Sequence, residues 1–168
     1  LVQKMPAAEV PEETTGYEGF FHLTGISGTV ERATVNFIIR DHDRERFEAR
    51  KAMLRGLVQG MNLKYGYEAL ALQLDDTYYN MREKVEPVMH IIDIAREAME
   101  AAEVEPQIKA IRGGTDGAQL SFMGLPCPNI FAGGLYFHGP HELLPVPNLK
   151  KACEVVINIA RLTAERYR

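Results

Sequence analysis

The chain has 168 residues, of which 46% are hydrophobic and 25% charged, with a formal net charge of -4 and a pI of about 5.8. This balance is typical of a globular protein that forms one ordinary domain or parts of two. The weak negative charge excludes recruitment of nucleic acid or an anionic membrane by bulk charge. No run approaches the roughly 20 apolar residues of a membrane span, and the first residues lack the basic and apolar regions of a signal peptide. We therefore expect a cytoplasmic protein with a small-molecule partner.

The two cysteines, Cys127 and Cys153, each stand among apolar neighbours. They form neither a disulfide framework nor the Cys-x-x-Cys spacing of a metal site. We therefore interpret both as buried free thiols of a protein from a reducing compartment.

The first 41 residues predict an N-terminal extension followed by a β-hairpin. Residues 1–15 show no sustained period and contain two prolines, so we expect a loosely ordered linker or the tail of a missing helix. From 17 to 41 β-branched and aromatic residues dominate, and the pair at 31–32 supplies a polar turn. Because side chains alternate across a strand, one face of the second strand carries Val35, Phe37 and Ile39. The other face carries Asn36, Ile38 and Arg40.

A helix and a further strand complete this first unit. Asp43 can cap a helix whose apolar residues recur at helical spacing: Phe47, Leu54, Leu57, Val58 and Met61. Residues 67–79 then predict a strand, in which the leucines at 70, 72 and 74 point one way. The prediction is a small antiparallel sheet covered by one layer of helix.

The composition changes beyond Lys84, where a second unit begins. Pro87 opens a helix with one broad apolar face, formed by Ile91, Ile94, Ala95, Ala98, Met99 and Ala102. Short strands follow at 109–112 and 129–132, with a short helix from 117 to 123 between them, and this order favours parallel pairing. A last helix, 147–166, has a face wide enough to be mostly buried, with Ala152, Val155, Val156, Ile159, Ala160 and Leu162.

The residues at the end of the second unit's first strand have the composition of a ligand-binding turn. Arg112 precedes Gly113 and Gly114, whose backbone can approach a ligand closely, and the oxygens of Thr115 and Asp116 suit the first turn of a helix. Backbone N–H groups at such a helix start can bind an anion, although a structural turn capped by Asp116 fits as well. No Gly-Lys-Ser/Thr follows, so this is not a phosphate loop.

One histidine and two arginines supply further candidates. His138 precedes a glycine in a loop, where it could present an imidazole to a metal, but a lone histidine is more often a hydrogen-bonded structural residue. No carboxylate or cysteine lies at a spacing that would complete a metal site around it. Arg40 and Arg112 stand at strand ends and could hold a carboxylate bidentately, or form surface salt bridges.

Five segments of the chain have a distinctive composition. They read Gly16-Tyr-Glu-Gly-Phe-Phe-His-Leu, Ile38-Ile-Arg-Asp-His-Asp-Arg, Tyr78-Tyr-Asn-Met-Arg-Glu-Lys, the run from Arg112-Gly-Gly-Thr-Asp-Gly-Ala to Cys-Pro-Asn129, and Tyr136-Phe-His-Gly-Pro-His-Glu. Together they resemble the peptidase T family of dizinc aminotripeptidases. The resemblance covers nearly all of the chain from residue 16 onward, but it is limited to the second half of such an enzyme.

The resemblance implies an α/β fold in two parts. The first is a two-layer lid, in which an antiparallel sheet packs on a helix, and the second is the C-terminal portion of a three-layer α/β zinc-peptidase catalytic domain. Residues 16–84 would form an incomplete lid and dimerisation domain, and 85–168 the C-terminal part of the catalytic domain. Residues 1–15 would be a linker, and a homodimer through the lid would be possible.

The resemblance also implies roles for individual residues. The first histidine of the family's Tyr-x-His-Gly-x-His-Glu segment binds zinc, which makes His138 the expected metal ligand. Arginines at the places of Arg40 and Arg112, one from each domain, serve the C-terminal carboxylate of the peptide. Asn36, beside Arg40, would add an amide contact.

The glycine turn after Arg112 and three other residues complete the set of candidate site residues. Gly114 and Thr115 are expected to contact the substrate. Asn80 and Arg82 belong to a typical family segment and would lie on the substrate side or between domains. His141 could stand behind the metal ligand or have a structural role.

Most of the catalytic machinery of such an enzyme would lie outside this chain. The family's two zinc ions need a His-x-Asp segment, a bridging aspartate and a Glu-Glu pair from the first half, and this chain has no His-x-Asp. Its one Glu-Glu, at 12–13, lacks the glycine-rich and acidic surroundings of the family pair, so we treat it as a decoy. We expect one zinc ligand, no catalytic residue, and no activity from the chain alone.

Two functions remain open. The first is the C-terminal half of a zinc aminopeptidase that removes the N-terminal residue of tripeptides with a metal-activated water, completed by the missing N-terminal half of the catalytic domain. The second is a non-catalytic assembly module that dimerises through its antiparallel sheet edge. Exposed apolar faces on the two later helices would favour the first, because a module that stands alone should cover them.

Overall fold

The computed structural model describes all residues, Leu1–Arg168. The chain divides into two compact units. The first contains Leu1–Asn80 and Lys109–Gly114, and the second contains Met81–Ile108 and Thr115–Arg168. The predicted boundary after residue 84 lies near this division, but the structure assigns the short segment Lys109–Gly114 to the first unit, whereas the sequence placed it in the second.

The predicted hairpin is confirmed. Strand β1, Phe20–Gly28, pairs antiparallel with strand β2, Ala33–Arg40, and a bulge interrupts β1 between Leu23 and Gly25. Thr29 and Arg32 close the turn with a 2.7 Å backbone hydrogen bond. The predicted alternation in β2 is also present, because its apolar face is half-buried while Asn36 and Ile38 are exposed.

Helix α1, Arg44–Tyr65, follows the hairpin and packs against β2. It begins as predicted at Asp43, whose carboxylate accepts the backbone N–H of Arg46 at 2.8 Å. It ends at Gly66, whose φ of +76° is the left-handed conformation that glycine adopts at helix ends without strain. Leu54 is 2% exposed on the buried face of α1, and Phe21 of β1 belongs to the same unit's core.

The strand predicted at 67–79 is wrong. These residues form no β-ladder, and the sheet has only the two strands of the hairpin. The side-chain amide of Asn62 in α1 both donates to the carbonyl of Leu70 and accepts its N–H, each at 2.8 Å. The backbone of Leu70 is therefore satisfied by one side chain in place of a neighbouring strand.

The N-terminal segment is packed, contrary to the expected loose order. It contains a 3-10 turn, Val2–Lys4, and Thr14 is buried with its hydroxyl donating to the carbonyl of Val10 at 2.7 Å. The N–H of Phe21 in β1 donates to the carbonyl of Glu9 at 2.8 Å. The segment is thus tied to the first strand by a backbone hydrogen bond.

The second unit is helical. Its helices are α2, Arg82–Val85; α3, His90–Ala101; α4, Asp116–Phe122; and α5, Val146–Arg166, with a 3-10 turn at Glu86–Val88. The predicted buried stripe of α3 is confirmed: Ala98 and Ala102 are fully buried against Val155 of α5. Lys151 of α5 donates to the carbonyl of Ala102 at 2.7 Å, at the end of α3.

Three expectations for the second half of the chain are wrong. The short strands at 109–112 and 129–132 are absent, and so is their parallel pairing, because a strand forms only with a partner for its backbone groups. The apolar face of α5 is not mostly buried: Val156 is 53% exposed, since α3 covers only one stripe of the helix. Both cysteines are free, but Cys153 is exposed and Cys127 only half-buried.

No helix has both the length and the apolar composition needed to cross a membrane.

Candidate functional site

Arg40 ends strand β2, opposite Phe20 of β1. Its guanidinium donates to the carbonyl of Ile39 at 3.2 Å and lies 5.6 Å from the ring centre of Tyr78. Asn36 is on the same face of the strand, and its backbone carbonyl accepts the hydroxyl of Thr24 at 3.2 Å. Asn36 is exposed in the middle of β2, and Arg40 is half-buried at the end of the strand.

Gly114 is in close contact with Tyr78. A Cβ at residue 114 would overlap the hydroxyl oxygen of Tyr78, so no residue larger than glycine fits there without moving the ring. The same hydroxyl is buried and has no hydrogen-bond partner. Tyr78 therefore contacts both Arg40 and Gly114, a role that its sequence position did not reveal.

Arg112 is bound by the N-terminal segment. Its guanidinium donates to the carbonyls of Thr14 at 2.7 Å and Pro11 at 3.3 Å, and to the Thr14 hydroxyl. It also lies 4.5 Å from the ring centre of Phe20, and its Nε is buried without a partner. The expectation that Arg40 and Arg112 stand on opposite units is wrong, because both belong to the first unit. Arg112 is far from Thr14 in sequence, so no local signal could have shown this contact.

Thr115, in the second unit, caps helix α4. Its hydroxyl oxygen accepts the N–H of Ala118 at 3.3 Å and the side-chain amide of Asn129 at 3.2 Å. One reading of the sequence made Asp116 the structural cap, but Asp116 is the first residue of the helix and Thr115 precedes it. Thr115 is thus occupied by a structural role in this unit.

His138 lies in a short loop of the second unit, which is closed by an isolated antiparallel bridge between Leu135 and Leu143. The two backbone hydrogen bonds of the bridge measure 2.9 and 3.2 Å. His138 is exposed, with a φ of +66°, and Tyr136 has a φ of +56°. A non-glycine residue in this region costs about 1–3 kcal/mol, so the surrounding contacts must hold the loop in this shape.

The donors in this chain do not by themselves fit a zinc ion. No group of three or more His, Cys, Asp or Glu side chains is close enough to hold a metal. A zinc site in a protein uses at least three such ligands. His138 therefore belongs to no such group in this chain.

A cluster around Lys51 was not predicted from the sequence. Lys51 of α1 is 5% exposed and forms ion pairs with Asp76 and Glu48, both at 2.7 Å. The hydrogen bond from Lys51 holds the pKa of Asp76 below its usual range, against the effect of burial. Burial by itself would lower the pKa of Lys51, but its hydrogen bonds to Asp76 and Glu48 outweigh this and the pKa is raised. The cluster attaches the irregular segment after α1 to the helix.

The sequence of the chain is similar to that of several curated proteins. A peptidase T of Parabacteroides distasonis is 62% identical over 162 residues, which are 96% of this chain and 40% of that protein. Peptidase T proteins of Vibrio parahaemolyticus and Geobacillus kaustophilus are 55% and 53% identical over 164 residues, 98% of this chain and 40% of each relative.

The chain belongs to the peptidase T family. It spans about 40% of the length of the relatives it matches. The resemblance inferred from the five sequence segments is confirmed by this identity over nearly the whole chain. No family model matches the chain.

A solved structure has a similar fold. The crystal structure of aminopeptidase PepT from Bacillus cereus ATCC 10987 superimposes with a TM-score of 0.61 and 19% identity, covering 94% of this chain and 42% of that one. At this identity the match concerns the fold alone. The expected α/β class, an antiparallel sheet with helix followed by the C-terminal portion of the peptidase, is confirmed at this level.

Proposed function

We propose that this chain is the C-terminal part of a zinc-dependent aminopeptidase that removes the N-terminal residue of tripeptides. The observation that carries the proposal is 52–62% identity to proteins named peptidase T over 96–98% of the chain. The exposed apolar side chains Val156 and Ile157 on α5 support it further, because a module that stands alone should cover such a face. The location that fits this function is the cytoplasm.

In this proposal His138 contributes one zinc ligand, and the remaining ligands and the general base come from the part of the protein beyond this chain. A glycine follows His138, and the imidazole is exposed, so a metal can reach it. Zinc, when bound, activates a water for attack on a peptide carbonyl. This chain alone would then be inactive.

Arg40 is the proposed partner for the free carboxylate of the peptide. Its guanidinium is half-buried at the end of β2, and Asn36 lies on the same face with an amide to offer. Gly114 lies in the same unit and would contribute its backbone N–H. Arg112 would serve the same carboxylate only if its bonds to Thr14 and Pro11 were exchanged for bonds to substrate. Thr115 stays a proposed substrate contact of the second unit, in addition to its role as the cap of α4.

The test uses a chimera and tripeptide hydrolysis. The part of the Parabacteroides distasonis peptidase T that the alignment leaves uncovered is joined to this chain, and cleavage of trialanine is measured with zinc present. We expect no activity from the chain alone and clear activity from the chimera. His138→Ala should lower the activity of the chimera at least about a hundredfold and reduce its zinc content, because an open catalytic zinc depends on each protein ligand.

His22→Ala, which removes an exposed histidine from β1, is the control and should retain most of the activity. Full activity and zinc content in the His138→Ala chimera would show that the ligand is misassigned.

The competing function is a non-catalytic assembly module that dimerises through the sheet, and the hairpin does carry exposed apolar residues such as Ile26 and Val30. A folded but inactive chimera, together with a stable dimer of the chain alone, would favour that module.

A further inference from the structure

The backbone of His138 is held by a side chain from its own loop. The carboxylate of Glu142 accepts the N–H of His138 at 2.8 Å. Glu142 in turn donates its own N–H to the carbonyl of Gly139 at 3.2 Å, and Gly139 donates to Tyr136 at 3.0 Å. These bonds fold the loop back on itself inside the bridge between its two ends.

We propose that Glu142 is a positioning residue, which keeps His138 in its left-handed backbone conformation and thereby sets the direction of the imidazole. The direction of a Cα–Cβ bond follows from the backbone, so a change of φ at residue 138 would turn the side chain away. The sequence places a glycine at 139 and not at 138, so the left-handed residue carries a Cβ and adopts this conformation less readily than a glycine would.

The chemistry of the contact suits this role. A carboxylate that accepts a backbone N–H makes a charge-assisted hydrogen bond, which is stronger than one between neutral groups. His138 and Glu142 are both exposed, so neither side chain is fixed by burial in an apolar core. Tyr136, the other left-handed residue of the loop, has its carbonyl bound by Gly139 instead.

Glu142 is not used here as a metal ligand or as an ion-pair partner. No cluster of metal-binding side chains includes it, and its carboxylate is directed to the backbone of His138. Its importance for a metal rests on the proposed function, in which His138 is the ligand. The hydrogen bond itself can be tested in the isolated chain, without any metal or activity.

The experiment measures amide hydrogen exchange in the isotope-labelled chain by NMR. In Glu142→Ala the His138 amide should exchange at least about tenfold faster, because its acceptor is lost, which corresponds to about 1.4 kcal/mol. Glu142→Gln keeps an acceptor oxygen and should restore slow exchange to within about threefold. The Ala118 amide at the start of α4 should be unchanged in both, which reports that the unit remains folded.

Two further variants test the positioning role itself. His138→Gly adopts a left-handed backbone without support, so adding Glu142→Ala to it should leave the bridge amides of Leu135 and Leu143 unchanged, whereas in the native loop the same substitution should speed their exchange. His141→Ala should leave the His138 amide within about twofold of its native rate.

The proposal would be overturned if the His138 amide exchanged at its native rate in Glu142→Ala. It would also be overturned if His141→Ala accelerated that exchange as much as Glu142→Ala does. The third contrary outcome is that Glu142→Ala speeds exchange of the bridge amides equally in the native and His138→Gly chains. These outcomes are separate from the chimera assay. An inactive chimera with the exchange pattern described would reject the enzyme function but leave the role of Glu142 standing.

Discussion

Buried charge distinguishes the first unit from the second. In the first unit Lys51 is almost fully buried among carboxylates, and the side chain of Asp41 is 0% exposed against Arg50. In the second unit a hydrophobic cluster is formed by Ala98, Ala102 and Val155, which belong to or directly follow two packed helices. The ion pairs of that unit, such as Arg161 with Glu165, are about half-exposed.

This difference predicts two kinds of sensitivity. Removing one partner of a buried ion pair leaves the other charge without compensation, so the first unit should depend on individual polar residues. Removing volume from a helix interface leaves a cavity, so the second unit should depend on size and should tolerate changes of surface charge. Variants matched across the two units can test this comparison.

The largest effect is expected for Arg50→Ala in the first unit. Asp41 accepts the Arg50 Nε at 2.9 Å, and Arg50 also pairs with Glu9. A Cβ at residue 19 would overlap the Asp41 carboxylate, so the backbone of Gly19 packs directly against this ion pair. The uncompensated carboxylate should cost about 3–5 kcal/mol of the free energy of unfolding, measured by urea titration.

Arg161→Ala is the control for that variant, because it removes an exposed i,i+4 pair from α5. It should change the free energy of unfolding by about 0.5 kcal/mol or less. Equal losses in the two variants would mean that burial of the ion pair does not decide its importance.

A smaller effect is expected for Val155→Ala in the second unit. The side chain is fully buried between α5 and α3, and removing its two methyl groups should cost about 2 kcal/mol, including the cavity. The neighbouring Val156→Ala is the control, since that side chain is 53% exposed and should change stability by less than about 0.5 kcal/mol. If both variants behave alike, the contact between α3 and α5 is not the core of this unit.

The smallest effect concerns pH and the Lys51 cluster. The pKa of Asp76 is lowered in the folded chain. Its contribution to the free energy of unfolding is therefore complete above the ordinary aspartate pKa of about 3.9 and is lost as pH falls through the lowered value. The pKa of Lys51 is raised, so its contribution is complete below about 10.4 and is lost as pH rises through the raised value. Between these limits the pair should contribute fully.

Urea midpoints of the native chain and Asp76→Asn, measured from neutral pH down to about pH 2, check this expectation. At neutral pH the native chain should be more stable than Asp76→Asn by about 1 kcal/mol or less, because Asp76 is partly exposed. This difference should shrink as the solution becomes acid. A difference that is the same at every pH would show that the Asp76 charge does not stabilise the unit.

The elements that form from local contacts could be predicted from the sequence. The hairpin, α1 with its Asp43 cap, the buried stripe of α3 and the extent of α5 each follow from periodicity, turn residues or capping within a short stretch. The family was also readable, because its motifs are continuous segments of the chain. Residue type and position made His138 and Arg40 candidates, and those motifs supplied their expected roles.

Contacts between distant residues were decided only by the tertiary structure. A strand needs a partner for its backbone groups, and apolar patterning at 67–79 could not show that Asn62 satisfies Leu70 instead. The position of Arg112 depended on Thr14, roughly a hundred residues earlier, and the exposure of Val156 depended on how much of α5 is covered by α3. Sequence patterns describe which side chains share a face, but only the folded chain determines what lies against that face.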